Sequence, residues 1–105
     1  MEGVSDFDAP SRIQASLDEL VRALAHNARR QILRGCRGRF VPAGELAAQL
    51  ALAPASVSEH LKVLRKTGLV ELRRIGTSWT YRAQEQRIAD VVAALTRELE
   101  PQEEQ

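Results

Sequence analysis

The sequence predicts a mainly α-helical domain carrying one β-hairpin, and three observations support this. Apolar residues recur at helical spacing near both ends, as Ile13, Leu17, Leu20 and Leu24 and as Ile88, Val91, Val92, Leu95 and Leu99. From residue 69 the apolar period shortens to two, the period of a strand. Only 4% of the chain is aromatic, so the core must be built from Leu, Val, Ile and Ala, which favours packed helices over a sandwich. A length of 105 residues fits one domain, expected to span residues 9–100 between an arm at 1–8 and an acidic tail at 101–105.

Residues 1–8 lack apolar periodicity and are expected to be a loose arm. The first helix has two open starts. One is Asp8, with Pro10 in the first turn; the other is Ser11, with Gln14 at capping-box distance. His26-Asn27 breaks it, Asn27 being a good cap for a second helix at 28–34. That helix turns Ile32 and Leu33 inward and Arg29, Arg30 and Arg34 outward, and Gly35 stops it. Residues 36–42 read as a basic loop, followed by a short helix at 43–50 with Leu46, Ala47 and Leu50 on its inner face. Ala51-Leu52-Ala53 turns the chain into a fourth helix. Pro54 suits its first turn, and Val57, Leu61 and Leu64 lie at helical spacing. Gly68 supplies the left-handed position that closes it. Residues 69–82 then form a hairpin about Gly76-Thr77-Ser78, with Trp79 and Tyr81 expected in the hairpin core rather than as stacking platforms. A last helix at 84–100 ends at Pro101.

The net charge of +1 hides an asymmetry. Between Arg22 and Arg82 twelve Arg or Lys face three acids, a balance of +9, while the segments before and after each stand at −4. A basic centre between acidic ends concentrates positive field as a polyanionic partner requires, although uneven surface charge alone produces the same count. No apolar run reaches the roughly 18 residues that span a bilayer, and the acidic start is unlike a secretory signal. The expectation is a cytoplasmic protein without membrane contact. The single cysteine fits a reducing compartment. No nucleophile–base pair, paired carboxylates, phosphate-cradling glycine loop or metal cluster appears, so an enzyme is not expected, nor is a cofactor.

Two short helices joined by a three-residue turn and followed at once by a hairpin make a winged helix-turn-helix of about five helices and a two-stranded wing. Such units lay their second helix in the major groove, whose width of about 12 Å admits an α-helix. The second helix here opens with Ala55, Ser56, Ser58 and Glu59, small or polar residues that allow close approach to base edges. The serines suit bases or phosphates and Glu59 suits a cytosine amino group. Lys62, Arg65 and Lys66 follow at positions for phosphates, and Arg73, Arg74 and Arg82 load the hairpin. The expected partner is double-stranded DNA.

ELAAQLALAPASVSEHLKVLRKTGLVE followed by RRIGTSWTYR resembles the ArsR/SmtB family of bacterial winged-helix repressors, and LVRALAHNARRQIL resembles the stretch ahead of that family's reading unit. The likeness covers about residues 12–99. It implies a homodimer packed through the first and last helices, and an operator-binding repressor released by a metal or another inducer. By position Ala55, Ser56, Ser58, Glu59 and His60 match the family's reading-helix motif. Three departures stand out. Ala53 replaces the usual capping Ser or Thr, and Asn27 stands where proline is common. The family's metal ligands are absent: PAGELAA holds no thiol where a Cys-x-Cys motif is placed, and residues 84–100 contain no His or Cys. The inducer is left unknown.

Several residues keep two readings. His60 suits a DNA contact or a structural hydrogen bond, and His26 suits a cap or a surface position. Arg29 and Arg30 suit phosphate or a solvated face. Cys36, beside Arg34, Arg37 and Arg39, is either an inert thiol or a redox sensor with its pKa lowered by those cations. The stripes Ile13, Leu17, Leu20, Leu24 and Ile88, Val91, Val92, Leu95, Leu99 exceed what a compact winged helix needs for its own core, and a dimer interface is their expected use. A protein-interaction module is the competing function, disfavoured by the basic centre and the lack of aromatic anchors.

Overall fold

The computed structural model describes residues 15–102. The chain runs α1 (Leu17–Leu24), α2 (Asn27–Gly35), β1 (Val41–Pro42), α3 (Ala43–Leu50), α4 (Pro54–Lys66), β2 (Val70–Ile75), β3 (Ser78–Ala83) and α5 (Glu85–Leu99). The proposed arm at 1–8, both candidate helix starts, Ile13 and residues 103–105 lie outside the described residues.

α1 begins later than the apolar stripe implies. Ser16 is extended, its hydroxyl accepts from the Glu19 amide, and the Glu19 carboxylate accepts in turn from the Ser16 amide. This reciprocal pair satisfies two amide donors that have no partner within the helix, so helix begins at Leu17. At the next junction the cap is His26, without a side-chain bond, and Asn27 is already helical, contrary to its expected capping role. Arg30 Nη1 instead donates to the Leu24 carbonyl at 2.7 Å, and Arg29 Nη1 reaches the Ala23 carbonyl at 3.5 Å. Two side chains of α2 thus close the C-terminal end of α1.

The reading unit is α3, a turn, and α4. Ala51 ends α3 at φ 55°, a left-handed conformation without glycine. The Leu52 amide bonds back to the Ala47 carbonyl and the Ala51 amide to that of Ala48. α4 ends the same way, with Gly68 at φ +78° and the Leu69 amide reaching the Leu64 carbonyl at 2.8 Å. A side chain at Gly68 would also meet the Arg87 guanidinium, whose Nε lies 2.9 Å from the Cβ position.

The sheet has three antiparallel strands in the order β1-β3-β2, one more than the two-stranded wing expected. Val41 pairs with Tyr81 and Pro42 with Thr80, so part of the basic loop is a short strand. Leu72 pairs with Tyr81, Arg74 with Trp79 and Ile75 with Ser78. Gly76, at φ +63°, opens the two-residue turn, which fits the glycine-first turn matched to strand twist. One hairpin expectation fails: Trp79 is 52% exposed, though Tyr81 is half-buried, and on the opposite face Thr80 is buried and donates its hydroxyl to the Arg73 carbonyl at 2.7 Å. Near the turn the hairpin extends beyond the helices, so pleat alternation there no longer separates core from solvent.

Ile32, Leu46, Val57, Leu61, Leu64, Leu69 and Val41 are fully buried where α2, α3, α4 and the sheet meet, with Cys36 among them. Each large aliphatic group there contributes about 1.5–3 kcal/mol through burial. Leu20 and Val91, expected at a dimer interface, lie in the protomer's own core. Among the described residues no helix is long and apolar enough to cross a membrane.

Candidate nucleic-acid interface

Every buried position of α4 belongs to one stripe, Val57, Leu61 and Leu64, and that stripe fixes which residues face outward. At about 100° per residue, Ala55, Glu59, Lys62 and Lys66 stand opposite it, with Ser58 and Arg65 on one flank and Ser56 and His60 on the other. Ala55, Ser56, Ser58, Glu59, Lys62, Arg65 and Lys66 are exposed, and His60 is half-buried. Ala53 caps the helix without a side-chain bond, and Pro54 at the first position removes one amide that would otherwise be unsatisfied. The first turn contains no acid, so the positive end of the helix is left uncompensated.

The side chains of Arg65 and Lys66 make no hydrogen bond or ion pair among the described residues. Lys62 lies 3.8 Å from Glu59, but both side chains are mostly in water, where such a pair contributes little. His60 has a defined partner: Arg29 Nε donates to its Nδ1 at 3.2 Å. An accepting Nδ1 requires neutral imidazole with its proton on Nε2, which remains a donor. The His60 pKa is lowered by burial, then by the Arg29 and His26 charges, with Glu59 opposing. The His26 ring lies 6.1 Å from that of His60.

The wing arginines divide into two groups. Arg82 Nη2 lies 3.1 Å from Glu71 Oε1 and Arg73 Nη2 lies 3.9 Å from Glu71 Oε2. Both guanidinium groups also cover the Phe40 ring, at 4.4 and 4.3 Å from its centroid. Among the described residues Arg74 has no carboxylate partner, and it lies 5.5 Å over the ring of Trp79. Sequence reasoning missed the Phe40 and Glu71 anchors; the apolar Phe40-Val41 pair inside an otherwise basic loop was the available signal.

On the far side, α1 and α5 flank an open apolar groove lined by Val21, Leu24, Val91, Val92, Leu95 and Leu99. Val92 is 55% exposed and Leu99 74%, while Leu17, Leu24, Ile88 and Leu95 are half-buried. Of the two readings of Cys36 the structure favours the inert thiol, since the side chain lies in the core rather than among its neighbouring arginines. Burial pushes its thiol up to about 11, opposite to the lowering a reactive thiolate needs. Among the described residues no group of three or more His, Cys, Asp or Glu converges as a metal site.

With this geometry in view, comparison with known proteins places the chain in a class. A helix-turn-helix domain family model matches residues 24–73. The chain is 32% identical over 94 residues to the HTH-type transcriptional regulator NmtR of Mycobacterium tuberculosis, covering 88% of this chain and 78% of NmtR. It is 38% identical over 74 residues to KmtR of the same organism, covering 70% of this chain but only 57% of that relative's length. An ArsR-like regulator from Rhodococcus sp. RHA1 superposes with a TM-score of 0.71 at 28% identity, covering 77% and 76% of the two chains. The homodimeric winged helix-turn-helix DNA-binding domain of Mb0332 from Mycobacterium bovis, described as a possible ArsR-family regulator, superposes with a TM-score of 0.66 at 25% identity over 93% and 94%. The chain is built as a winged helix-turn-helix, the architecture of these transcriptional regulators. It belongs to the ArsR-like family.

Proposed function

We propose that two copies of this chain pair through α1 and α5 and bind a pseudo-palindromic operator in duplex DNA, repressing the adjacent gene in the cytoplasm. The observation that carries the reading is the outer face of α4. Ala55, Ser56 and Ser58 leave room for base edges, while the Arg65 and Lys66 side chains have no partner among the described residues to surrender before meeting phosphate. Pairing through the groove between α1 and α5 covers Val92, Leu95 and Leu99, and gives a two-fold complex whose reading helices sit about 34 Å apart, one turn of B-DNA. Repression is what the family resemblance implies; a reporter assay separates it from activation by the sign of the change on deletion.

The test is an anisotropy titration of the full chain against duplexes from its own upstream region. Log affinity is expected to fall steeply with log salt, because several phosphates are neutralised per protomer. Ser58→Ala and His60→Ala are expected to weaken operator binding with the dimer intact. Unchanged affinity in both variants rejects the assigned reading face, and retention of a protein partner without DNA binding favours an interaction module.

A further inference from the structure

We infer that the wing touches DNA through one arginine–indole pair, Arg74 carried on Trp79 into a minor groove beside the half-site, while Arg73 and Arg82 serve the wing's own structure. The inference rests on the DNA-binding reading above and divides three cations that composition alone treats as equivalent. Arg73 and Arg82 already share the Glu71 carboxylate, at 3.9 and 3.1 Å, which competes with a phosphate for each guanidinium. Arg74 has no carboxylate partner among the described residues, and its ring contact, like those of the other two, is compatible with simultaneous contact to an anion.

The position of the pair supports the assignment. Arg74 and Trp79 are cross-strand partners, one step inside the Ile75–Ser78 pair that flanks the turn, so they stand near the tip. Ile75 is 50% exposed on one face of the hairpin and Trp79 52% exposed on the other, where the protomer's own packing leaves the indole uncovered. Tyr81, on the same face and two residues deeper, is half-buried. A narrow minor groove presents strong negative potential between walls of deoxyribose, a chemistry that takes a guanidinium and a flat apolar ring together. The indole also restricts the guanidinium, reducing the side-chain freedom lost on binding. β2 follows α4 after only Thr67, Gly68 and Leu69, so the base of the wing is tied directly to the end of the reading helix.

Trp79 is the only tryptophan in the chain, so its intrinsic fluorescence reports this contact without a label. On titration of the full chain with operator duplex, its emission is expected to change and its quenching by acrylamide to fall. Trp79→Ala and Arg74→Ala are each expected to weaken binding about tenfold, between the exposed and desolvated values for a cation–π pair, and the double variant by less than the product. Arg74→Ala should lower the salt slope by about one while Trp79→Ala leaves it unchanged. Arg73→Ala and Arg82→Ala should cost affinity less than Arg74→Ala, with their main effect on thermal unfolding. If wild-type protein binds operator with Trp79 fluorescence unchanged and Trp79→Ala is neutral, the inference is overturned and the DNA-binding reading stands. Folded Arg73→Ala or Arg82→Ala variants that lose as much affinity as Arg74→Ala overturn the division among the three arginines. Failure of the wild type to bind any duplex overturns both.

Discussion

The α4 face and the α1–α5 face are both left uncovered by the core, and their chemistry is opposite. α4 presents small and hydroxyl side chains followed by Arg65 and Lys66, whose side chains have no partner among the described residues, whereas α1 presents Val21 and Leu24 and α5 Val92, Leu95 and Leu99 along a groove. Water solvates the first surface well and the second poorly. Exposure by itself therefore says little about purpose. An exposed serine or arginine face is stable alone and binds what complements it, while an exposed aliphatic groove is stabilised by removal from water.

The largest effect is expected from charging the apolar face. Val92→Glu combined with Leu99→Glu alters two side chains already in solvent, so the protomer should keep its circular dichroism and melting behaviour. Dimerisation should fail, and operator affinity should fall by on the order of a hundredfold or more as two linked half-sites become independent. Sedimentation velocity and anisotropy on the same samples check this. A variant that stays dimeric and binds normally breaks the contrast between the faces.

Next in size is a probe of the core between them. Cys36→Ser places a hydroxyl where the thiol is fully buried and should destabilise folding by about 1–3 kcal/mol, measured by urea denaturation. In the native wild type the thiol should resist alkylation and peroxide, because burial holds its pKa near 11. Rapid modification without unfolding contradicts the buried setting.

These sites also show what was legible in the sequence. The helices, the turn between α3 and α4 and the hairpin follow from period and breakers, since Val57, Leu61, Leu64 and Gly68 each impose a local consequence. Local rules alone misplace the helix start at Ser16 and the cap at Asn27, and they leave the setting of Cys36 open. Ser16 has a Glu three residues on and met the capping-box rule, but the apolar stripe ran through it. Asn27 lost its capping role because α2 starts one residue earlier and Arg30 closes α1. Cys36 neighbours arginines in sequence but hydrophobes in space. The reading-face residues were accessible because helix geometry dictates their exposure. The Glu71–Phe40 anchor was not, because it joins residues brought together only by sheet register.

A smaller effect sharpens the helix-turn-helix geometry. Ala51 holds a left-handed conformation that costs an L-residue roughly 1–2 kcal/mol and glycine almost nothing. Ala51→Gly should raise stability by about 0.5–1 kcal/mol after the added freedom of the unfolded chain is counted. Thermal melts check it, and operator affinity should hardly change, since Ala51 lies in the turn rather than on the α4 face.

The smallest effect belongs to His60, which joins the reading face to the rest of the fold through Arg29. Its folded-state pKa lies below the ordinary 6.5, so the folded protein binds fewer protons than the unfolded chain between those two values. Stability from this group is therefore fully present above about pH 6.5 and declines as pH falls toward the folded pKa. Denaturation midpoints compared at about pH 7.5 and 5.5 should show a modest loss at the lower pH, and His60→Gln should remove the part due to this group. Arg29→Met should also reduce it, since the cation and the hydrogen bond that disfavour imidazolium are then gone. If both variants keep the full wild-type slope, the Arg29–His60 contact does not link the reading helix to α2 in solution.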